Sequence, residues 1–342
     1  MTTEQAICVV PTGEGIEVPG RERRRRPAKA TGYIHALTTA RGAESGALPN
    51  LIVIGAAQCG TSALHYYLDL HPEIQMSRPK ELNFFISGAD LEPQRFDAGD
   101  DVGPRPRPVA NWDRGVNWYA AQFPDATRVH GESSVSYTMP WCPAVAERMA
   151  SVIPEAKLVL LVRDPIERIV SQYLNYRALG RERRSLEEAL SPPGNVYLAR
   201  SRYASVLRPF LDRFPRSNIH LDRQEELLGR RRETMQRIFA FLDVDAGYWS
   251  LKMDRLRNTT GRKGNAFRLA ERLRRRPLVG PLYRLGPEAK WRIERLLSRG
   301  GGAAKRPSVN PALRRSLVSE LESDIAELES LTGWDLSAWR GD

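Results

Sequence analysis

Lysine is scarce in this chain: seven lysines stand against forty-five arginines in 342 residues, a bias that fits a GC-rich genome better than any one function. Cysteine is scarce too. Cys8, Cys59 and Cys142 lack metal-ligand spacing and are too few for a disulfide framework, which excludes a small stapled fold and points to a reducing compartment. No apolar run reaches the ~20 residues of a membrane-spanning helix, and the first thirty residues contain no continuous apolar stretch of the signal-segment kind. A soluble, cytoplasmic protein is therefore expected. A Gly-Lys-Ser/Thr triplet is absent as well, so the loop that grips the γ-phosphate of ATP is incomplete.

What is present is an apolar content of 41%, enough for a sizeable core, and a net charge of +11. The excess charge is concentrated in residues 21–29 and 255–299, and the remainder is slightly acidic. That distribution argues against a nucleic-acid face, although a basic surface still attracts polyanionic ligands. Residues 1–48 mix Gly, Pro, Thr and charge without periodicity, and read as a disordered basic tail.

From Leu51 onward, strand-like and helix-like segments alternate, the pattern of an α/β domain with a central parallel sheet flanked by helices. Leu51-Ile52-Val53-Ile54 reads as a buried strand, followed by a loop of small residues and an amphipathic helix over 62–70. A turn and a short second strand are expected over 71–76, a surface loop at 88–110 and a weaker strand at 128–132. A fully buried strand is expected at 156–162, followed by a helix over 166–179 with Pro165 at its first position. A short strand at 217–221 and a helix at 233–242 come next. Near the end, Asn310 is placed to cap a helix that begins at Pro311 and carries Leu313, Leu317, Leu321, Ile325 and Leu328 on one stripe.

The strand, small-residue turn and helix start at 51–64 make a phosphate cradle. Backbone N–H groups and the positive end of the helix dipole face an anion there, but one other than the ATP γ-phosphate. Two further segments complete a set in order: Arg78-Pro79-Lys80-Glu81-Leu82-Asn83-Phe84-Phe85, and Leu161-Val162-Arg163-Asp164-Pro165 with Ser171 eight residues past the arginine. Together they resemble the sulfotransferase family that uses 3′-phosphoadenosine-5′-phosphosulfate (PAPS), closest to its bacterial and Golgi glycan-type branch. The resemblance covers roughly residues 51–242 and, more weakly, the C-terminal helix.

That resemblance implies a P-loop-like single domain over 49–342 and transfer of a sulfuryl group to an acceptor hydroxyl by in-line displacement. Ala57, Gln58, Cys59, Gly60, Thr61 and Ser62 would hold the 5′-phosphosulfate. Arg163 and Ser171 would hold the 3′-phosphate, with an Arg163–Glu167 or Arg163–Asp164 ion pair and an ordinary helix-surface serine as the structural alternatives. Glu81 would be the general base and Lys80 an electrostatic stabiliser; the alternative is a surface Lys–Glu pair ahead of core aromatics. Tyr203 would contribute to the nucleotide site or else to the core, and Arg262, Lys263 and Gly264 match a loop that closes over the 3′-phosphate. No metal is expected.

Three departures stand out. Gln58 occupies a place where relatives often have lysine, and Leu82 one where they often have proline. In Gly131-Glu132-Ser133-Ser134-Val135-Ser136-Tyr137, Ser133 and Val135 replace a lysine and a proline. His130 is an alternative base or a structural histidine, and Cys59 suits the loop by its small size. The basic amphipathic stretch at 264–305 either packs on the domain, covers the acceptor as a lid, or touches a membrane. The acceptor class stays open among glycans, lipids and secondary metabolites. Rival functions are a nucleotide kinase-like enzyme, which needs the missing Gly-Lys-Ser/Thr, and a non-catalytic polyanion binder.

Overall fold

Five short strands pair in parallel to make the sheet: β1 Leu51–Gly55, β2 Ile74–Met76, β3 Val129–Ser133, β4 Lys157–Val162 and β5 Ile219–Arg223. Their spatial order is β2-β3-β1-β4-β5. β1 is buried along its whole length and β4 at every residue after Lys157, which is why both read as continuous apolar runs: helices cover both faces of the sheet. The chain leaves β1 toward the β3 side and leaves β4 toward β5. The two central strands therefore diverge at their carboxyl ends, where an open α/β sheet places its ligand.

The computed structural model describes residues 47–91, 109–123, 127–178, 181–192, 194–255 and 306–341. All of them fall in one unit, Glu44–Asp342. The expected basic tail lies outside the described residues except at 47–48, and so does 264–305. The helices are α1 Thr61–Leu68, α2 Gly115–Ala120, α3 Ala144–Val152, α4 Pro165–Ala178, α5 Leu186–Leu190, α6 Val196–Ala199, α7 Tyr203–Leu211, α8 Gln224–Gly229, α9 Arg231–Phe241, α10 Pro311–Thr332 and α11 Ser337–Arg340.

Two differences from the sequence expectation have clear causes. The strand at 128–132 looks weak because His130 and Glu132 are polar, yet all of β3 is buried between β2 and β1. Hydroxyl groups from neighbouring elements satisfy Glu132, so polarity is tolerated there without exposure. The last strand begins two residues later than expected, since Arg216–Asn218 form a 3-10 turn after Pro215.

α10 matches its sequence signals. The Asn310 side chain accepts from the Leu313 N–H at 2.8 Å, Pro311 opens the helix, and Gly333 closes it with φ 70°. Its buried stripe also holds an acid. Asp324 accepts from Ala204 N, Ser205 N and Ser205 Oγ at 2.7–3.0 Å, and so caps α7 from 120 residues away. Burial raises the pKa of that carboxyl above its ordinary value.

Candidate active site

The loop after β1 is fixed by its backbone. Ala56 N–H donates to Leu161 O at 2.7 Å, which ties the loop to β4, and Cys59 N–H donates back to Ala56 O at 3.2 Å. Gly60, at φ 90°, turns the chain into α1 and gives the helix no side-chain cap, leaving the first turn of α1 to an incoming anion. A Cβ on Gly55 would collide with the Thr138 side chain, so glycine is required where β1 meets the turn after β3.

Behind the loop, Tyr203 at the start of α7 is 1% exposed. Its hydroxyl donates to Arg163 O at 2.8 Å and lies 3.7 Å from Cys59 Sγ. Tyr203 therefore braces the loop and the end of β4 from the core side and does not line the open face. Burial pushes the Cys59 thiol up to about 11, which keeps it protonated and unreactive.

Arg163 leaves the end of β4 and pairs with Glu167 at 3.0 Å, one of the structural alternatives for this residue. Arg306 pairs with the same carboxylate. Burial disfavours the charged form of Glu167, but Arg306 and Arg163 together hold its pKa below the ordinary value. The Ser171 hydroxyl donates to Gln58 Oε1 at 3.1 Å, bringing α4 onto the loop. Gln58 itself sits at φ 69°, a left-handed conformation rare for a residue with a side chain.

On the other side of the loop, the segment after β2 brings Lys80 and Glu81 to it. Lys80 Nζ lies 2.6 Å from Glu81 Oε1 and 3.4 Å from Thr61 Oγ1. The ammonium thus stands between the candidate base and the first residue of α1, on the flank of a loop whose own sequence carries no cation. Glu81 Oε2 accepts from Val135 N–H at 3.1 Å. A proline at that position would have no N–H to give, so the departure at Val135 supplies a hydrogen bond to Glu81. Glu81 and Asn83 have φ values of 65° and 51°, and such positions persist only where their surroundings hold them. Asn83 N–H donates to Ser134 Oγ at 3.0 Å, and the Asn111 side-chain amide donates to Leu82 O at 2.7 Å. Leu82 itself is buried in the core.

Two residues of this region were not among the site candidates of the sequence. His65 lies four residues after Thr61, on the same face of α1, and its Nδ1 is 2.9 Å from Ser133 Oγ. Ser133, which replaces a lysine of the resembling family, is thereby engaged by a histidine. Burial, aided by the Lys80 charge, lowers His65 to about 4 and keeps it neutral. Glu132 is completely buried and accepts from Tyr119 and Tyr137 hydroxyls, each at 2.6 Å, and from Ser134 Oγ at 2.9 Å. The helical i, i+4 spacing from Thr61 could have singled out His65, and Glu132 stands in the Gly131–Tyr137 segment already compared with the family's motif.

His130, the alternative base, is buried in β3 against the Phe123 ring, two residues before Glu132. Arg262, Lys263 and Gly264 lie outside the described residues. Among the described residues, no group of three or more His, Cys, Asp or Glu is placed to hold a metal ion, and no helix is long and apolar enough to cross a membrane.

The profile described as the sulfotransferase family matches residues 49–249. A membrane-associated sulfotransferase, kil1, of Dictyostelium discoideum is 33% identical over 129 residues, which cover 37% of this chain and 22% of that protein. The bifunctional heparan sulfate N-deacetylase/N-sulfotransferase 1 of Caenorhabditis briggsae is 32% identical over 126 residues, covering 37% of this chain and 12% of that protein. The match thus spans less than a quarter of either relative's length. A sulfotransferase from Alicyclobacillus acidocaldarius, solved by crystallography, is similar with a TM-score of 0.60 and 27% identity over 86% of this chain and 99% of that one.

Proposed function

Because the chain belongs to the sulfotransferase family, we propose that it transfers the sulfuryl group of PAPS to an acceptor hydroxyl by direct in-line displacement. One observation carries the reading: Lys80 Nζ bridges Glu81 and Thr61, so a base and a cation meet at the mouth of an anion-binding loop. The 5′-phosphosulfate fits the N-terminus of α1, where Gly60 leaves the first turn uncapped and Thr61 and Ser62 add hydroxyls. Arg163, at the diverging end of β4, suits the 3′-phosphate once exchanged from Glu167.

In the reaction the acceptor oxygen forms a bond to sulfur while the bond from sulfur to the bridging phosphate oxygen breaks. Glu81 takes the acceptor proton, and the electron pair leaves with adenosine 3′,5′-bisphosphate. Lys80 stands where negative charge grows on the departing side and replaces the lysine that the loop lacks at Gln58. Lys80 and the Val135 N–H hold one carboxylate oxygen each, which aims Glu81. Relatives named for heparan sulfate make a glycan the first acceptor class to try.

Thermal stabilisation by adenosine 3′,5′-bisphosphate, compared with ADP and AMP, tests the donor. A shift selective for the bisphosphate is expected, and no shift overturns the reading. The acceptor is sought by mass spectrometry, as products of a metabolite or glycan extract heavier by one SO₃.

A further inference from the structure

The buried carboxylate of Glu132 is too elaborately bonded for its place. It sits under the segment that carries Glu81, in a box of aromatic rings: Phe84 stacks on Tyr119 with centroids 4.1 Å apart, and Phe85 packs on Tyr137 at 5.6 Å. Three hydroxyls converge on it, Tyr119 and Tyr137 at Oε1 and Ser134 at Oε2. Two of those hydroxyls also face the other way. Ser134 Oγ accepts the Asn83 N–H at 3.0 Å, and the Tyr137 hydroxyl accepts the Phe85 N–H at 3.4 Å. Each of these two oxygens thus receives a proton from the 83–85 backbone and sends its own proton to Glu132.

An ionised carboxylate, which accepts and never donates, takes all three of these hydroxyl hydrogens at once. Protonated Glu132 becomes a donor toward one hydroxyl and disturbs the orientation of the set. Asn83 and Glu81 both hold left-handed backbone, so the segment depends on these outside grips for its shape.

We propose that Glu132 is the positioning residue for Glu81: its ionised carboxylate orients the hydroxyls of Ser134 and Tyr137, and these fix the 83–85 backbone and with it the base. The titratable groups facing Glu132 are Tyr119 from α2, Tyr137 from the turn after β3, Glu81 from the segment above, and His130 two residues earlier on the same strand face. Burial raises Glu132 to about 7, with the Glu81 charge adding to the rise, so the brace tightens across neutral pH. The role as a helper to the base rests on the sulfotransferase reading; the brace itself does not.

The test uses the whole chain, the variants Glu132→Gln, Tyr137→Phe and Tyr119→Phe, and two readouts between pH 5.5 and 8.5. The first is amide hydrogen exchange of the peptide carrying 81–86, corrected for the intrinsic pH dependence. Wild-type protection should rise about five-fold or more across neutral pH. Glu132→Gln, whose amide group donates like the protonated acid, should stay at the low level throughout. Tyr137→Phe should lose protection at Phe85, whereas Tyr119→Phe, which touches no backbone of the segment, should keep it.

The second readout is release of adenosine 3′,5′-bisphosphate from PAPS with water as acceptor. Its rise across neutral pH should vanish in Glu132→Gln, while bisphosphate affinity stays within about two-fold of wild type. A purely structural carboxylate predicts a lower Tm in Glu132→Gln with the pH profile intact. That result, pH-independent protection in the wild type, or equal losses in Tyr119→Phe and Tyr137→Phe would overturn the proposal. If Glu132→Gln fails to fold, the tyrosine pair decides. Failure of bisphosphate binding in the wild type would instead count against the sulfotransferase reading and leave the exchange result standing.

Discussion

The loop at 56–62 and the segment at 80–85 flank one site, yet they are built on opposite principles. The loop is made of backbone: small residues, a glycine at φ 90° and the open end of a helix. Little in it depends on distant side chains beyond the Tyr203 brace and the Gln58–Ser171 bond. The segment has almost no local reason for its shape. Its backbone is held by Ser134, Tyr137 and Asn111, and Lys80 and Glu81 reach Thr61 and Val135. Binding an anion needs only N–H groups in the right direction, which a short sequence can encode. Aiming a base, the role proposed for Glu81, needs a fixed side chain, and here many parts of the chain cooperate to fix that side chain.

The sharpest way to break this contrast is Glu81→Gln. Transfer, followed as bisphosphate release, should fall about 10³-fold, within the range for a lost general base, while bisphosphate binding is unchanged. Equal loss of binding would merge the two halves into one unit.

The next effect is on stability. Glu132 is raised from 4.5 to about 7 by burial, so the folded protein holds a proton that the unfolded chain releases. Its contribution to stability is complete below pH 4.5 and is lost as the pH rises through 7, on the order of 3 kcal/mol in all. His65, lowered from 6.5 to about 4, works in the opposite direction: its contribution is present above 6.5 and lost as the pH falls through 4. The two contributions therefore oppose each other between pH 4.5 and 6.5. The stability of Glu132→Gln relative to wild type, from urea unfolding at several pH values, should grow as the pH rises from 4.5 to 7.

Lys80→Gln should slow transfer about 10²-fold by removing the cation nearest the loop. Adding Gln58→Lys to it should restore part of the rate, since a lysine from the loop side would reach the same departing oxygen. Gln58→Lys alone should leave PAPS binding intact or tighter, measured by calorimetry. No recovery in the double variant would mean that the two positions serve different atoms. The smallest effect belongs to Asp324→Ala, which uncaps α7 and should lower stability by about 1–2 kcal/mol in thermal unfolding.

Legibility followed the same division. The parallel sheet, the loop, the end of β4 and α10 could be read from runs of apolar residues, from Gly60, from Pro165 and from the Asn310-Pro311 start, because each is a local signal. The order of motifs singles out Glu81 and Lys80 as candidates. It does not show what supports them. β3 reads as weak because Glu132 and His130 interrupt its apolar pattern, and only the fold brings Tyr119 and Tyr137 to the carboxylate. Asp324 likewise looks like a flaw in the stripe of α10 until α7 is seen against it. Periodicity marks where a side chain points; it says nothing of the partner that arrives from elsewhere in the chain.

The Asp324 contact also sets an order in time. The end of β4 is steadied by Tyr203, Tyr203 opens α7, and the amide groups of that first turn await a carboxylate made more than a hundred residues later. On the ribosome, a nascent chain can lay down the sheet and the loop early, but their rear support is finished only once Asp324 has emerged. The loop at 56–62 is thus synthesised well before the carboxylate that caps the helix behind it.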